Sequence, residues 1–127
     1  MNKNYFYDYV VIRVVPKVER EEFINAGVIL SCKEKKFLQA QISLDEDKLK
    51  LLNKDIDMDM IKTHLTAIEA IAAGSENAGP IGKLTQMERF QWLTSPKSTI
   101  IQTSAVHSGY CKNPSDTLEH LVKTMVK

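Results

Sequence analysis

The residues best suited to chemistry in this 127-residue chain lie between Glu88 and Pro114. Arg89, Trp92, Lys97, Ser98, Thr99, Gln102, Ser104 and His107 make a polar and aromatic set denser than a strand and its approaches need for folding. Arg89 and Lys97 are cations suited to a carboxylate or phosphate, and His107 is of the residue type used for acid/base work. The binding set read here is Arg89, Trp92, Lys97, Ser98, Thr99, Gln102 and His107, with His107, Arg89 and Lys97 the catalytic candidates if the chain is an enzyme. A structural reading stands beside it, with Gln102 and His107 as satisfied structural groups and Arg89 or Lys97 as a solvated charge.

Other constellations fail on spacing. Asp55, Asp57 and Asp59 mimic the start of a calcium loop, but Met60 and Thr66 occupy the positions of its glycine and terminal glutamate. Gly82-Lys83 resembles the end of a phosphate loop, yet Asn77 stands for its first glycine and Leu84 for its Ser or Thr. Gly79-Pro80-Ile81-Gly82 matches the GXXG loop with which KH domains clamp a nucleic-acid backbone, without a basic surround. His107, Cys111 and His120 lack a fourth zinc ligand, and nothing around Cys111 and His107 would depress the thiol pKa. His64 reads as a boundary residue beside a helical stripe. Tyr5, Tyr7 and Tyr9 suit base stacking on an open sheet, but a covering helix is the simpler expectation. No metal and no cofactor are expected.

The chain carries 17 Lys+Arg against 16 Asp+Glu, a formal charge of +1, so counterion release from nucleic acid supplies little affinity and no nucleic-acid partner is expected. At 43% apolar and 26% charged residues it is globular in composition, and its length suits one domain over residues 1–127. No run of apolar residues is long enough to span a membrane, and no signal-peptide pattern opens the chain. Cys32 and Cys111 are its two cysteines, expected to be free thiols, and a cytoplasmic location follows as an expectation.

These side chains need a scaffold to position them. Tyr5 to Val15 is rich in aromatic and β-branched residues and reads as a central strand ended by Pro16, with Phe6, Val10, Ile12 and Val14 on one face. Val18 to Ile24 reads as one or two helical turns and Asn25-Ala26-Gly27 as a turn. Val28 to Cys32 and Phe37 to Ile42 are strands flanking Lys33 to Lys36, a hairpin that leaves an edge strand. A short helix follows Asp45. Met58, Ile61, Leu65, Ile68 and Ala72 form one helical stripe, with Asp57 or Asp59 at its start and Gly74 at its end. Ser75 to Gly82 reads as a loop, Thr85 to Leu93 as a helix, and Ser98 to Gln102 as a strand. The last helix starts at Asn113-Pro114 and presents Leu118, Leu121, Val122 and Met125 to the core. The fold class is α+β, with a mainly antiparallel sheet and helices packed against it.

Several blocks also resemble a known family. Tyr7-Asp8-Tyr9, Arg13-Val14-Val15-Pro16 and Glu22 to Leu30 are followed in order by Gly79-Pro80-Ile81-Gly82, Glu88 to Thr94, Pro96 to Gln102, and Val106-His107-Ser108-Gly109. Together they resemble the bacterial domain-of-unknown-function family 3037. Lys97 stands where members commonly have Arg, and Lys lacks the planar fork for bidentate anion recognition. Family genes often lie beside genes for HipA-like serine/threonine kinases, so the resemblance implies a HipA-like kinase as partner. The expectation is a small binding or accessory protein. Its rivals are a small enzyme acting on an anionic metabolite through the Arg89/Lys97/His107 region, and an RNA-binding module using the GXXG loop.

Overall fold

The computed structural model describes residues 3–17, 20, 22–96 and 100–127. The Tyr-rich N-terminal run forms β1 (Tyr5–Lys17), and β2 (Glu22–Cys32) and β3 (Phe37–Ile42) follow. Two helices come next, α1 (Glu46–Leu52) and α2 (Met58–Ala73), then a 3-10 segment (Glu76–Lys83) and α3 (Gln86–Thr94). Short strands β4 (Ile101–Thr103) and β5 (His107–Cys111) precede α4 (Pro114–Met125). All described pairings are antiparallel: β3 pairs β2, β2 pairs β1, and β1 holds both β4 and β5 along its other side. The fold is α+β.

Period-two alternation along β1 explains its central place, because both of its faces are covered. Val10, Ile12 and Val14 join Ile24, Ala26, Ile29 and Leu38 in a core capped by Ile61, Leu65, Ile71 and Ala72 of α2 and Leu93 of α3. Tyr5, Tyr7 and Tyr9 turn the other way, packing with Val28, Leu30 and Cys32 against Leu118, Leu121 and Val122 of α4. A helix therefore covers the tyrosines, and burial raises the Tyr7 phenol pKa above its ordinary value. Met125, expected in that core face, is 40% exposed because the helix ends there. Phe6 is 50% exposed and meets Tyr110 of β5 edge to face at 5.6 Å between centroids.

The expected helical turns and the turn after them are corrected. Glu22 to Ile24 and Asn25-Ala26-Gly27 all lie within β2, while Val18, Glu19 and Glu21 fall outside the described residues. The local preferences of Asn and Gly lose to tertiary pairing, since Ile24 and Ala26 are buried against the helices. The register shifts between Ile12 and Arg13, which pair Gly27 and Asn25, so Ala26 is an extra residue that bends the strand. Pairing is irregular again between Val14 and Lys17, where Pro16 has no amide to give. Strand β3 is an edge strand, as the hairpin reading requires, and its turn passes through Lys36 at φ 51°.

Helix starts follow the acidic residues that precede them. Asp45 accepts the Lys48 amide at 3.0 Å, and Asp57 accepts the Met60 amide at 3.0 Å. Asp57→Ala should lower unfolding free energy by about 1 kcal/mol, the usual value of an N-cap, measured by urea denaturation. Helix α2 ends at Gly74 in the left-handed region (φ 66°), whose amide donates to the Ile71 carbonyl while the Ser75 amide reaches Ala70. The stretch from Ser75, read as a loop, is instead mostly 3-10 helix, broken at Gly79. The strand expected over Ser98 to Gln102 is Ile101–Thr103, with Ser98 and Thr99 outside the described residues. Among the described residues, no helix is long and apolar enough to cross a membrane.

Candidate functional site

Helix α3 carries the first of the candidate residues, and its start is set locally. The Glu88 amide donates to Thr85 Oγ1 at 3.2 Å and the Thr85 amide donates to Glu88 Oε1 at 3.2 Å, a reciprocal cap. The Thr85 hydroxyl also donates to Glu88 Oε1 at 2.9 Å, and this bond first, then the Thr85 amide, holds the Glu88 carboxyl below its ordinary pKa.

One turn later the chain places Arg89 against backbone. Its Nη1 donates to the carbonyls of Ile71 at 3.1 Å and Ala72 at 2.5 Å, and its Nε donates to Leu84 at 3.1 Å. Helix ends leave carbonyls without internal partners, and a guanidinium at the C-terminus also matches the helix dipole. Arg89 thus ties the end of α2 to the start of α3 across the 3-10 segment. The cation expected to hold an anion is committed to the fold.

Trp92, three residues on, is half-buried and faces a cavity of about 700 Å³. Its walls come from α2 (Ala67, Ile68, Ile71), the end of α3 (Trp92, Leu93) and the β4 region (Ile101, Thr103), with His64, Ser95 and Gln102 at more polar positions. The volume is in the range of ordinary small-ligand pockets. Side chains alternate along β4, so Ile101 joins the core under the cavity while Gln102 belongs to the opposite face, beside its partner Arg13. A second concavity of about 850 Å³, more polar in its lining, lies at Phe23, Asn25, Asp45 and Lys48 near the C-terminus of α4.

His107 lies elsewhere. It opens β5, is exposed, pairs with Tyr9 and rests on that ring at 5.3 Å between centroids. Neither His107 nor Arg89 lines the Trp92 cavity. Of the candidate set Trp92 walls the cavity, Gln102 borders it with its side chain on the Arg13 face, and Arg89 and His107 lie apart from both; Lys97, Ser98 and Thr99 lie outside the described residues. Sequence reading missed the contribution of α2: Ile68 was legible as a stripe residue and His64 as its neighbour, but nothing in the stripe marks which member faces a cavity.

The weaker constellations can be placed as well. His107 and Cys111 are the two ends of one strand, roughly 14 Å apart at about 3.4 Å per residue, too far for a nucleophile and its base. Cys32 and Cys111 are both buried and both free, and burial pushes the Cys111 thiol pKa up, away from thiolate reactivity. Ser104 is buried and used by the ladder: its hydroxyl accepts the Val11 amide at 2.9 Å where β4 gives way to β5. Gly82 of the GXXG stretch is buried beside Ser75 and Ala78. Among the described residues, no group of three or more His, Cys, Asp or Glu is arranged to hold a metal ion.

Fold and site together define a small α+β domain with helices on both faces of an antiparallel sheet and an apolar, tryptophan-walled cavity at one sheet edge. The chain belongs to the family described as Protein of unknown function (DUF3037), whose sequence model matches residues 9–126, nearly its whole length. No curated protein and no solved structure matches it.

Proposed function

We propose that this protein is a small cytoplasmic binding or accessory protein that engages another bacterial protein through the Trp92 cavity. The observation that carries the reading is the cavity itself: Ile68, Ile71, Trp92 and Ile101 wall a space of about 700 Å³ that suits an apolar anchor side chain of a partner. Tryptophan-lined pockets of this kind concentrate binding energy in protein interfaces. An enzyme working through Arg89 and His107 has less support, because the first is engaged by backbone and the second sits on another part of the sheet. The family resemblance directs the choice of partner to a HipA-like serine/threonine kinase, with regulation of kinase activity as the consequence.

Co-expression with such a kinase and size-exclusion chromatography test the proposal. The two should co-elute, and kinase activity should change when this protein is added. Ala67 is exposed and lines the cavity, so Ala67→Arg fills the opening without removing core. It should weaken the complex by about 30-fold, the equivalent of one interface hot spot. Separate elution of the wild-type proteins with kinase activity unchanged overturns the kinase assignment. A complex indifferent to Ala67→Arg overturns the role of the cavity.

A further inference from the structure

The sheet face opposite the cavity carries an arginine that no carboxylate among the described residues answers. Arg13 pairs with Asn25 of β2 on one side and with Gln102 of β4 on the other, so three polar side chains stand in a row across three strands. Its guanidinium carbon lies 4.4 Å from the centroid of the Phe23 ring. Its Nε is shut off from solvent with no hydrogen-bond partner among the described residues, while the side chain as a whole is half-buried. The ion pairs among the described residues are Lys3 with Glu34, Arg20 with Glu22 and Lys62 with Glu46, and none involves Arg13. Across the strand pair, Asn25 donates Nδ2 to the Met125 carbonyl at 2.8 Å, while its Oδ1 is buried without a partner.

Partial burial of a guanidinium without a counter-charge is unfavourable, and the cost falls once an anion arrives. This guanidinium is also held ready. Its stem rises from an interior strand and its guanidinium lies over an aromatic ring, which limits the side-chain freedom lost on binding. Charge matching selects the ligand: one guanidinium neutralises one carboxylate and presents a planar fork of matching geometry, whereas a phosphate dianion leaves a charge uncompensated.

We propose that Arg13 is a carboxylate-binding site, the terminal guanidinium nitrogens gripping the carboxylate over the Phe23 platform with Gln102 alongside. The carboxylate comes either from an acidic side chain of a protein partner or from a free small acid. The test is a titration of the isotope-labelled full chain with sodium acetate, followed by NMR at the Arg13 Nε–H and the Asn25 and Gln102 side-chain amides. Saturable shifts with a dissociation constant on the order of 1–10 mM are expected for one charge-assisted pair. Arg13→Lys keeps the charge but loses the fork, and should weaken acetate binding by about tenfold; Phe23→Leu gives a second, milder loss should the lysine variant fold poorly. A capped tripeptide with a central Glu binding more tightly than acetate supports the protein side chain as source, and succinate binding more tightly than the peptide supports a small acid. Shifts that sodium chloride reproduces at equal ionic strength, or tighter binding of inorganic phosphate than of acetate, overturn the proposal. No partner protein is needed, so failure here leaves the Trp92 reading untouched, and the reverse also holds.

Discussion

Gly27→Val should abolish the native sheet. A Cβ at Gly27 would sit 2.6 Å from the Gln41 carbonyl oxygen and 2.9 Å from Ile42 Cδ1. The methyl of Ile42 can turn aside, but the carbonyl belongs to the ladder of β3, whose Ile42 pairs with Gly27. Relief therefore requires β2 and β3 to separate next to the Ala26 bulge, in the middle of the main core. Gly27→Ala is expected to remove about 3 kcal/mol, the upper end for overpacking, and Val more, against a total of about 5–15 kcal/mol for a domain of this kind. Urea denaturation of the Ala variant and the soluble yield of the Val variant measure this. Gly79→Ala supplies the comparison: a Cβ there meets nothing within 4 Å, and only its positive φ of 70° is strained. Its loss should be nearer 1 kcal/mol.

Arg89→Ala should be nearly as damaging, although the residue looks like a surface cation in the sequence. Removal leaves the Ile71 and Ala72 carbonyls short of a donor and cuts the tie to Leu84. Hydrogen bonds from a charged donor contribute about 1.5–3 kcal/mol, so a loss of about 3 kcal/mol is expected for the set. Arg89→Lys should recover only part of it, because an ammonium cannot reach three carbonyls in the same plane. Hydrogen exchange gives the specific readout: the Ser75 and Gly74 amides, which close the end of α2, should lose protection ahead of the α4 amides. His107→Ala, at an exposed position on an edge strand, should change stability by no more than about 0.5 kcal/mol. A stable Arg89→Ala protein that has lost its partner would return Arg89 to the binding surface.

Several features of this protein were determined by sequence alone, and each rests on a short-range cause. The caps at Asp45, Asp57 and Asn113, the left-handed end at Gly74 and the alternation of Val10, Ile12 and Val14 against Tyr5, Tyr7 and Tyr9 depend on dihedral preference and periodicity within a few residues. Those signals were enough for the α+β class, the central place of β1 and the helix over the tyrosines. The motif blocks were likewise enough for the family.

Tertiary structure decided the rest. Asn25-Ala26-Gly27 has turn chemistry in isolation, but burial of Ile24 and Ala26 and the close approach of Gln41 draw it into a strand. Strand β5 is short and holds Ser108 and Gly109, so only its pairing with β1 reveals it. Arg89, Trp92, Gln102 and His107 stand close in the chain, yet the fold sends them to a helix end, a cavity wall, the Arg13 face and an edge strand. Arg13 entered the sequence reading only as part of a family block, one charge among the 17 basic residues, and not as a site candidate. That no carboxylate among the described residues pairs with it is a fact about its neighbours across the sheet. Sequence proximity reports which residues travel together along the chain, whereas a site is made by residues that different elements carry to one place, and that convergence exists only once long-range pairing has formed.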